Sequence, residues 1–213
     1  MLQGLVSALG RLLDRRADAP DLVRLGSEYG GYAVPRSVLR QGGVCYSAGL
    51  GEDATFDLSL IEGFGCEVWA IDPTPRAVAF GEELARREPR FHLVPVALWS
   101  EEGEVRLYAP RDPAHVSHSA LNLQATDSSF AARAATLAAL MRELGHLRVD
   151  LLKLNVEGAE VPALVSALRD GIVPPCSASS SSTHPGSGSH SPSSDCGAPA
   201  TGSSGASMPS TLM

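Results

Sequence analysis

The fold is decided by VCYSAGLGEDATFDLSLIE, residues 44–62, read together with GCEVWAIDP, residues 65–73. A short apolar run enters a turn with two glycines at residues 49–51, and a helix-like pattern of apolar residues follows it. A second apolar run then ends on Asp72. This order of strand, glycine turn, helix and strand is the sequence form of a nucleotide-binding βαβ unit, whose terminal acid holds ribose hydroxyls. We therefore predict a Rossmann-like α/β domain with its ligand site at the turn and this acid.

Two acids directly after the turn bear on which cofactor fits. Gly49, Gly51 and Ala54 match the loose G-x-G-x-x-G/A pattern, so a dinucleotide is one candidate. Glu52 and Asp53 argue against it, because a pyrophosphate binds best at a helix start without fixed anions. They suit a cationic ligand that carries an ammonium and a sulfonium group, as S-adenosylmethionine does. The alternative is that both acids only cap the helix and need no ligand.

Composition sets limits on the class of protein. The chain has 213 residues, of which 44% are hydrophobic, enough for one domain with a core. Its formal net charge of −7 argues against a nucleic-acid-binding surface. No apolar run approaches the roughly 20 residues of a membrane span, and the N-terminus lacks the form of a signal peptide. Cys45 and Cys66 fall in predicted strands, where a thiol acts as a small apolar residue. We expect a cytoplasmic protein.

The chain divides into three predicted parts. Residues 1–24 carry a leucine stripe at helical spacing, which predicts an amphipathic helix packed on its own domain, because the stripe lacks the aromatics of a membrane anchor. Residues 25–173 alternate strand and helix patterns, and residues 104–108 are predicted to add a hairpin to the margin of the sheet. Residues 174–213 are rich in Ser, Gly and Pro, which predicts a disordered tail.

A polar, irregular segment spans residues 110–129. His115 and His118 stand three residues apart, as metal ligands can, but no third ligand follows at a convincing spacing, so we predict no metal site. Long loops in compact domains often serve binding. The segment is therefore predicted to face a substrate.

A second group of polar residues lies in DLLKLNVEGAE, residues 150–160. Its apolar run, residues 149–156, is typical of a buried parallel strand. Ligands bind beyond the carboxyl ends of such strands, so Asn155 and Glu157 are expected at the edge where the glycine turn emerges. Lys153 is expected to be buried and to need a partner, either Glu157 or Glu160. A structural Lys–Glu pair at the strand–helix junction would explain Lys153 equally well.

With these residues in place, the chain resembles the FkbM-like methyltransferases, a branch of the Rossmann-fold S-adenosylmethionine-dependent enzymes. The resemblance covers about residues 25–171 and rests on five blocks in order: GSEYGGY (26–32), YSAGLGED (46–53), FDLSLIEGFGCEVWAIDPTP (56–75), VALWSEEG (96–103) and DLLKLNVEGAE (150–160). It implies methyl transfer from S-adenosylmethionine to a hydroxyl of a small molecule or carbohydrate.

The resemblance also implies roles for single residues. The methionine part of the cofactor would be lined by Ser47, Gly49, Gly51 and Asp53. Asp72 would hold the ribose, and Ala97 and Leu98 would lie against the adenine. The acceptor would be positioned or deprotonated by Asn155, Glu157 or His118.

Two departures from the family pattern affect these expectations. The family commonly has aspartate where this chain has Asn155, which removes a candidate general base, although an amide can still orient a hydroxyl. The family also continues with three more strands after the helix that ends near Arg169. We therefore expect a sheet without its last strands, in which the strand at residues 149–156 is an exposed apolar edge. The alternative function is a truncated, non-catalytic remnant that binds cofactor weakly or self-associates through that edge.

Overall fold

The computed structural model describes residues 21–28, 30–112, 114–122, 124–174 and 177–179. These residues belong to the first of two compact units, residues 1–182. The predicted N-terminal leucine stripe and most of the predicted tail lie outside the described residues. The boundary predicted after residue 24 needs correction, because Leu22–Leu25 forms a strand that is part of the domain.

Five parallel strands form the main sheet. In chain order they are β3 (Val44–Ala48), β4 (Glu67–Ile71), β5 (Phe91–Val94), β9 (Leu151–Leu154) and β10 (Ser177–Ser179). Their order across the sheet is β10-β9-β3-β4-β5, and each neighbouring pair is parallel. The predicted α/β fold with a mostly parallel sheet is therefore confirmed.

Four α-helices among the described residues cover this sheet: α1 (Thr55–Phe64), α2 (Pro75–Ala85), α3 (Leu137–Leu144) and α4 (Glu160–Arg169). The helices lie on both faces, because alternate strand residues point to opposite sides. Cys45 and Leu151 pack with α1 and α2, whereas Tyr46 and Leu152 pack with α3 and α4. This is the doubly wound arrangement that the sequence predicted. None of the described helices is long and apolar enough to cross a membrane.

Two smaller sheets complete the described part of the chain. An antiparallel pair joins β1 (Leu22–Leu25) and β2 (Tyr32–Pro35). A three-stranded sheet has the order β6-β8-β7, built from β6 (Ala97–Leu98), β7 (Gly103–Tyr108) and β8 (Ser129–Ala135). The predicted hairpin at the margin of the main sheet is thus wrong, because β7 pairs with β8 across the long polar loop instead.

The last strand also differs from expectation. β10 pairs in parallel with β9, with Ser177 opposite Leu152 and Ser179 opposite Leu154. β9 is therefore not the exposed edge that the sequence predicted. Self-association of the chain stays a prediction. The strand lies inside the segment predicted to be disordered. Strand pairing uses backbone groups that every residue except proline supplies, so a Ser-rich segment can form it without an apolar pattern.

Candidate active site

The glycine turn leaves the carboxyl end of β3 in a conformation that only glycine accepts easily. Gly49 and Gly51 have φ values of +83° and +57°. A Cβ on Gly49 would lie 1.8 Å from the carbonyl oxygen of Asn155, so the segment after β9 passes directly against the turn. Leu50 between them is 3% exposed and packs in the core shared with α1 and α2. The two glycines and this buried leucine fix the course of the turn.

Asp72 joins the turn to the end of β4. It is only 6% exposed. Its Oδ2 accepts the N–H of Gly51 at 3.0 Å, and its Oδ1 accepts the N–H and hydroxyl of Thr74 at 2.9 and 2.8 Å. The structure thus brings together two residues that the sequence predicted at one site. A carboxylate has about four acceptor positions, so Oδ2 keeps one for a further donor.

Asp53 accepts hydrogen bonds from the first residue of α1 and from the connection between β1 and β2. Its Oδ1 accepts the N–H and hydroxyl of Thr55 at 2.9 and 2.6 Å, at the start of α1. Its Oδ2 accepts the hydroxyl of Ser27 at 2.7 Å, which ties the connection between β1 and β2 to the turn. Partial burial raises the pKa of Asp53, but these hydrogen bonds from Thr55 and Ser27 outweigh it and hold that pKa below its ordinary value. Asp53 thus accepts the first N–H of α1 from the position before the N-cap residue, Ala54, and the capping alternative stays open for it.

Glu52 is paired with a cation. Arg76 at the start of α2 donates to both of its oxygens, from Nε at 3.0 Å and from Nη2 at 2.5 Å. The same guanidinium reaches the carbonyl oxygen of Ala114 at 3.5 Å, in the long polar loop. The electrostatic argument that Glu52 repels a pyrophosphate needs correction, because Arg76 neutralises its charge.

Three polar side chains are buried beneath the turn. Lys153, Asp57 and Ser47 are 5%, 1% and 1% exposed, and Ser47 stands opposite Lys153 in the β3–β9 register. Lys153 donates from Nζ to the carbonyl oxygen of Gly49 at 2.5 Å, and Nζ lies 5.5 Å from the centre of the Tyr32 ring. Within the described chain, Ser47 Oγ and Asp57 Oδ1 have no hydrogen-bond partner. We call Lys153, Asp57 and Ser47 the buried cluster.

Asp57, which is 1% exposed, exerts the largest attraction on the Lys153 ammonium. Burial lowers the pKa of the Lys153 ammonium and raises the pKa of the Asp57 carboxyl, and the attraction between the two groups opposes both shifts. The partners predicted from sequence are wrong, since the Glu160 carboxylate accepts the N–H groups of Val156 and Gly158 instead. A sequence signal for Asp57 existed: it precedes Leu60 and Ile61 by three and four residues, which places it on the buried stripe of α1.

The segment after β9 meets the long polar loop. Asn155 donates its N–H to the carbonyl oxygen of Ala48 at 3.0 Å, beside the glycine turn. Glu157 has a φ of +48°, a left-handed conformation that is uncommon for this residue type and is often found at functional sites. Its carbonyl oxygen accepts the Ser119 hydroxyl at 2.9 Å, so the loop is fixed against this segment.

His118 lies on the same loop, half-buried against the ring of Phe130. Its Nδ1 is 2.9 Å from the carbonyl oxygen of Val116. A carbonyl oxygen only accepts, so Nδ1 carries the hydrogen and Nε2 of the neutral ring offers a lone pair. The side chain of Val116 lies 3.5 Å from where a Cβ on Gly51 would be. The loop therefore contacts both the turn and the segment after β9.

A family model for the methyltransferase FkbM domain matches residues 43–176. The chain belongs to the FkbM methyltransferase family. The matched range of this FkbM domain runs from the residue before β3 beyond the end of α4, and so includes the turn, Asp72 and the segment after β9. Neither the curated proteins nor the solved structures gave a match. Membership of the family implies a methyltransferase that uses a methyl donor.

Three other predicted site residues of the FkbM domain are buried: Ala97, Leu98 and Ser47. Ala97 and Leu98 form β6 and are 8% and 2% exposed, so both are core residues of the described fold. The Ser47 side chain lies in the buried cluster beneath the turn rather than on its surface, so the structure does not favour the predicted contact with the cofactor. Among the described residues, no group of three or more His, Cys, Asp or Glu side chains is arranged to hold a metal ion.

Proposed function

We propose that this FkbM domain is an S-adenosylmethionine-dependent O-methyltransferase that acts on a hydroxyl of a small molecule or carbohydrate. The observation that carries the proposal is the hydrogen bond from the Gly51 N–H to the buried Asp72 carboxylate, at the carboxyl edge of the sheet. Ligands of doubly wound sheets bind at this edge, and an acid in this position holds ribose hydroxyls.

The residues present fit such a cofactor. Asp72 Oδ2 has an acceptor position left for a ribose hydroxyl, and the Gly49–Asp53 turn offers backbone without side chains at two positions. Ala97 and Leu98 are buried in the described fold, so the predicted contact with adenine does not support this fit. When bound, S-adenosylmethionine supplies an electrophilic methyl group.

On the acceptor side, the residues of this chain have to orient a hydroxyl and remove its proton. Asn155 would orient it through its amide, and Glu157 would supply a carboxylate from the strained position after β9. His118 Nε2 would accept the proton, because Nδ1 is already held by Val116. Alignment supplies most of the rate in such reactions, so these groups need only modest acid–base strength.

Calorimetric titration with S-adenosylmethionine and with NAD tests the proposal. We expect saturable binding of the first alone. Replacing Asp72 by Ala or Asn should weaken it about tenfold or more, as loss of hydrogen bonds to a charged acceptor does. Asp170→Ala is the matched control, because this acid is exposed at the end of α4. Binding of NAD alone, or binding that Asp72→Asn leaves unchanged in a folded protein, would contradict the proposal.

The acceptor class is tested with the same protein preparations. Radiolabelled S-adenosylmethionine and a panel of sugars and small alcohols should give labelled methyl ethers. A protein that binds the cofactor weakly and transfers no methyl group to any acceptor would instead support the non-catalytic remnant. One observation favours that alternative, since both oxygens of Asp72 already accept hydrogen bonds from the chain.

A further inference from the structure

The buried cluster lies on the side of the sheet that faces α1, and it contacts the turn from that side. Lys153 is the residue of this cluster that touches the turn, through the hydrogen bond from Nζ to the Gly49 carbonyl oxygen. A peptide unit is planar and trans, so the Leu50 N–H points in the opposite direction from that carbonyl. No backbone carbonyl among the described residues accepts the Leu50 N–H. The contact with Lys153 therefore turns the Leu50 N–H away from the buried cluster.

The charge of Lys153 is compensated inside the protein. Asp57 contributes the largest attraction, followed by Asp72 and Asp53, and the Tyr32 ring faces the ammonium at 5.5 Å. Taking two charges out of water is costly, and buried ion pairs can often be replaced by apolar residues without loss of stability. Stability alone therefore does not require a lysine at this position, and the hydrogen bond that Lys153 makes is to the Gly49 carbonyl oxygen.

We propose that Lys153 is a positioning residue, which with Asp57 as its counter-charge holds the Gly49–Leu50 peptide so that the Leu50 N–H faces the cofactor. The proposal rests on the proposed function, since it takes the turn as the cofactor site. Lys153 acts through the turn and does not touch the substrate or the reacting atoms.

Two neutral double variants separate positioning from packing. Lys153→Met with Asp57→Asn removes both charges and the donor to Gly49. Lys153→Gln with Asp57→Asn has the same charge and nearly the same shape, but keeps an N–H donor. We expect both to unfold at similar temperatures. The Met variant should bind S-adenosylmethionine at least about tenfold more weakly than wild type, and the Gln variant should recover part of that loss. Equal, wild-type affinities in both variants would overturn the proposal.

A measurement on the wild-type protein keeps the test decisive if the double variants do not fold. Saturating S-adenosylmethionine should shift the amide signal of Leu50 in the NMR spectrum, because this N–H becomes a hydrogen-bond donor. A wild-type protein that binds the cofactor without moving the Leu50 signal would overturn the positioning role alone. A wild-type protein that does not bind the cofactor would overturn the proposed function and this proposal together.

Discussion

At the scale of single residues, the candidate site depends on the close approach of the glycine turn to the segment after β9. Gly49 has no room for a side chain, because a Cβ there would lie 1.8 Å from the Asn155 carbonyl oxygen. Its positive φ of +83° adds a second restriction. The turn and the segment after β9 are thus held in one arrangement, and a change at Gly49 disturbs both segments.

Gly49→Ala should destabilise the protein by about 3 kcal/mol or more, because backbone strain and a clash with backbone act together. Chemical denaturation of both proteins measures this difference. Gly63→Ala is the matched control: Gly63 is exposed within α1 and a Cβ there would meet no atom within 4 Å. Alanine should stabilise that position by about 0.5–1 kcal/mol. Equal effects of the two substitutions would show that the turn is not constrained as described.

Some residues of the candidate site were predicted from the sequence and others were not, for identifiable reasons. Gly49, Gly51 and Asp72 were predicted because a turn of this kind has a local signature that survives in any βαβ unit. Asp57 was missed because it stands among apolar residues of α1, and its role depends on a lysine from a distant strand. Arg76 was missed because its pairing with Glu52 follows only from the packing of α2 beside the turn.

At the scale of the elements, α3 shows how a predicted helix is attached to the sheet. The helix begins after Thr136, whose hydroxyl accepts the Ala139 N–H, and ends at Gly145 in the left-handed conformation. His146 follows directly. Its Nδ1 lies 2.7 Å from the Tyr46 hydroxyl, and its ring contacts that of Trp69 edge-on at 4.2 Å. The histidine therefore connects the end of α3 to β3 and β4.

Protonation of His146 should weaken this attachment. Burial, and then the nearby charge of His92, lower the pKa of His146 below its ordinary value of 6.5. The unfolded chain therefore binds the proton more readily than the folded protein in this range. Stability should be greatest above the unfolded pKa and should fall as the pH drops below about 6.5 toward the folded pKa.

Denaturant unfolding of wild type and His146→Gln across about pH 5–7 measures the effect. The unfolding free energy of wild type should increase relative to that of His146→Gln as the pH rises. Gly63→Ala is the control, because it changes no titratable group and its difference in unfolding free energy from wild type should not vary with pH. A constant difference for His146→Gln as well would contradict the expectation.

The elements themselves were largely predictable, whereas the pairing of distant strands was not. The helices and the strand at β9 follow from periodic apolar patterns, which are local. β10 was missed because its serines carry no strand pattern, and the β7–β8 pairing was missed because a long irregular loop separates the two strands. In both cases the decisive contacts are backbone hydrogen bonds between residues far apart in the chain.

At the scale of the whole molecule, a ligand that binds only the folded state should stabilise the entire domain. S-adenosylmethionine at about one hundred times its dissociation constant should add about 2.7 kcal/mol to the unfolding free energy. Thermal unfolding with increasing cofactor measures this as a rising midpoint for wild type. Asp72→Asn at the same concentrations should show a smaller shift, in proportion to its weaker binding. A midpoint of wild type that does not change would argue against a cofactor site in this fold.

The connection between β1 and β2 affects the choice of the first residue for a shortened recombinant protein. The family match starts at residue 43, but Ser27 clamps Asp53 and Tyr32 faces Lys153 from upstream of that point. A shortened protein that started at the family boundary would keep the turn and Asp72. It would leave Asp53 without the Ser27 hydroxyl and open the buried lysine to water. For this chain, recombinant expression and activity assays should therefore include the residues from the start of β1 onward.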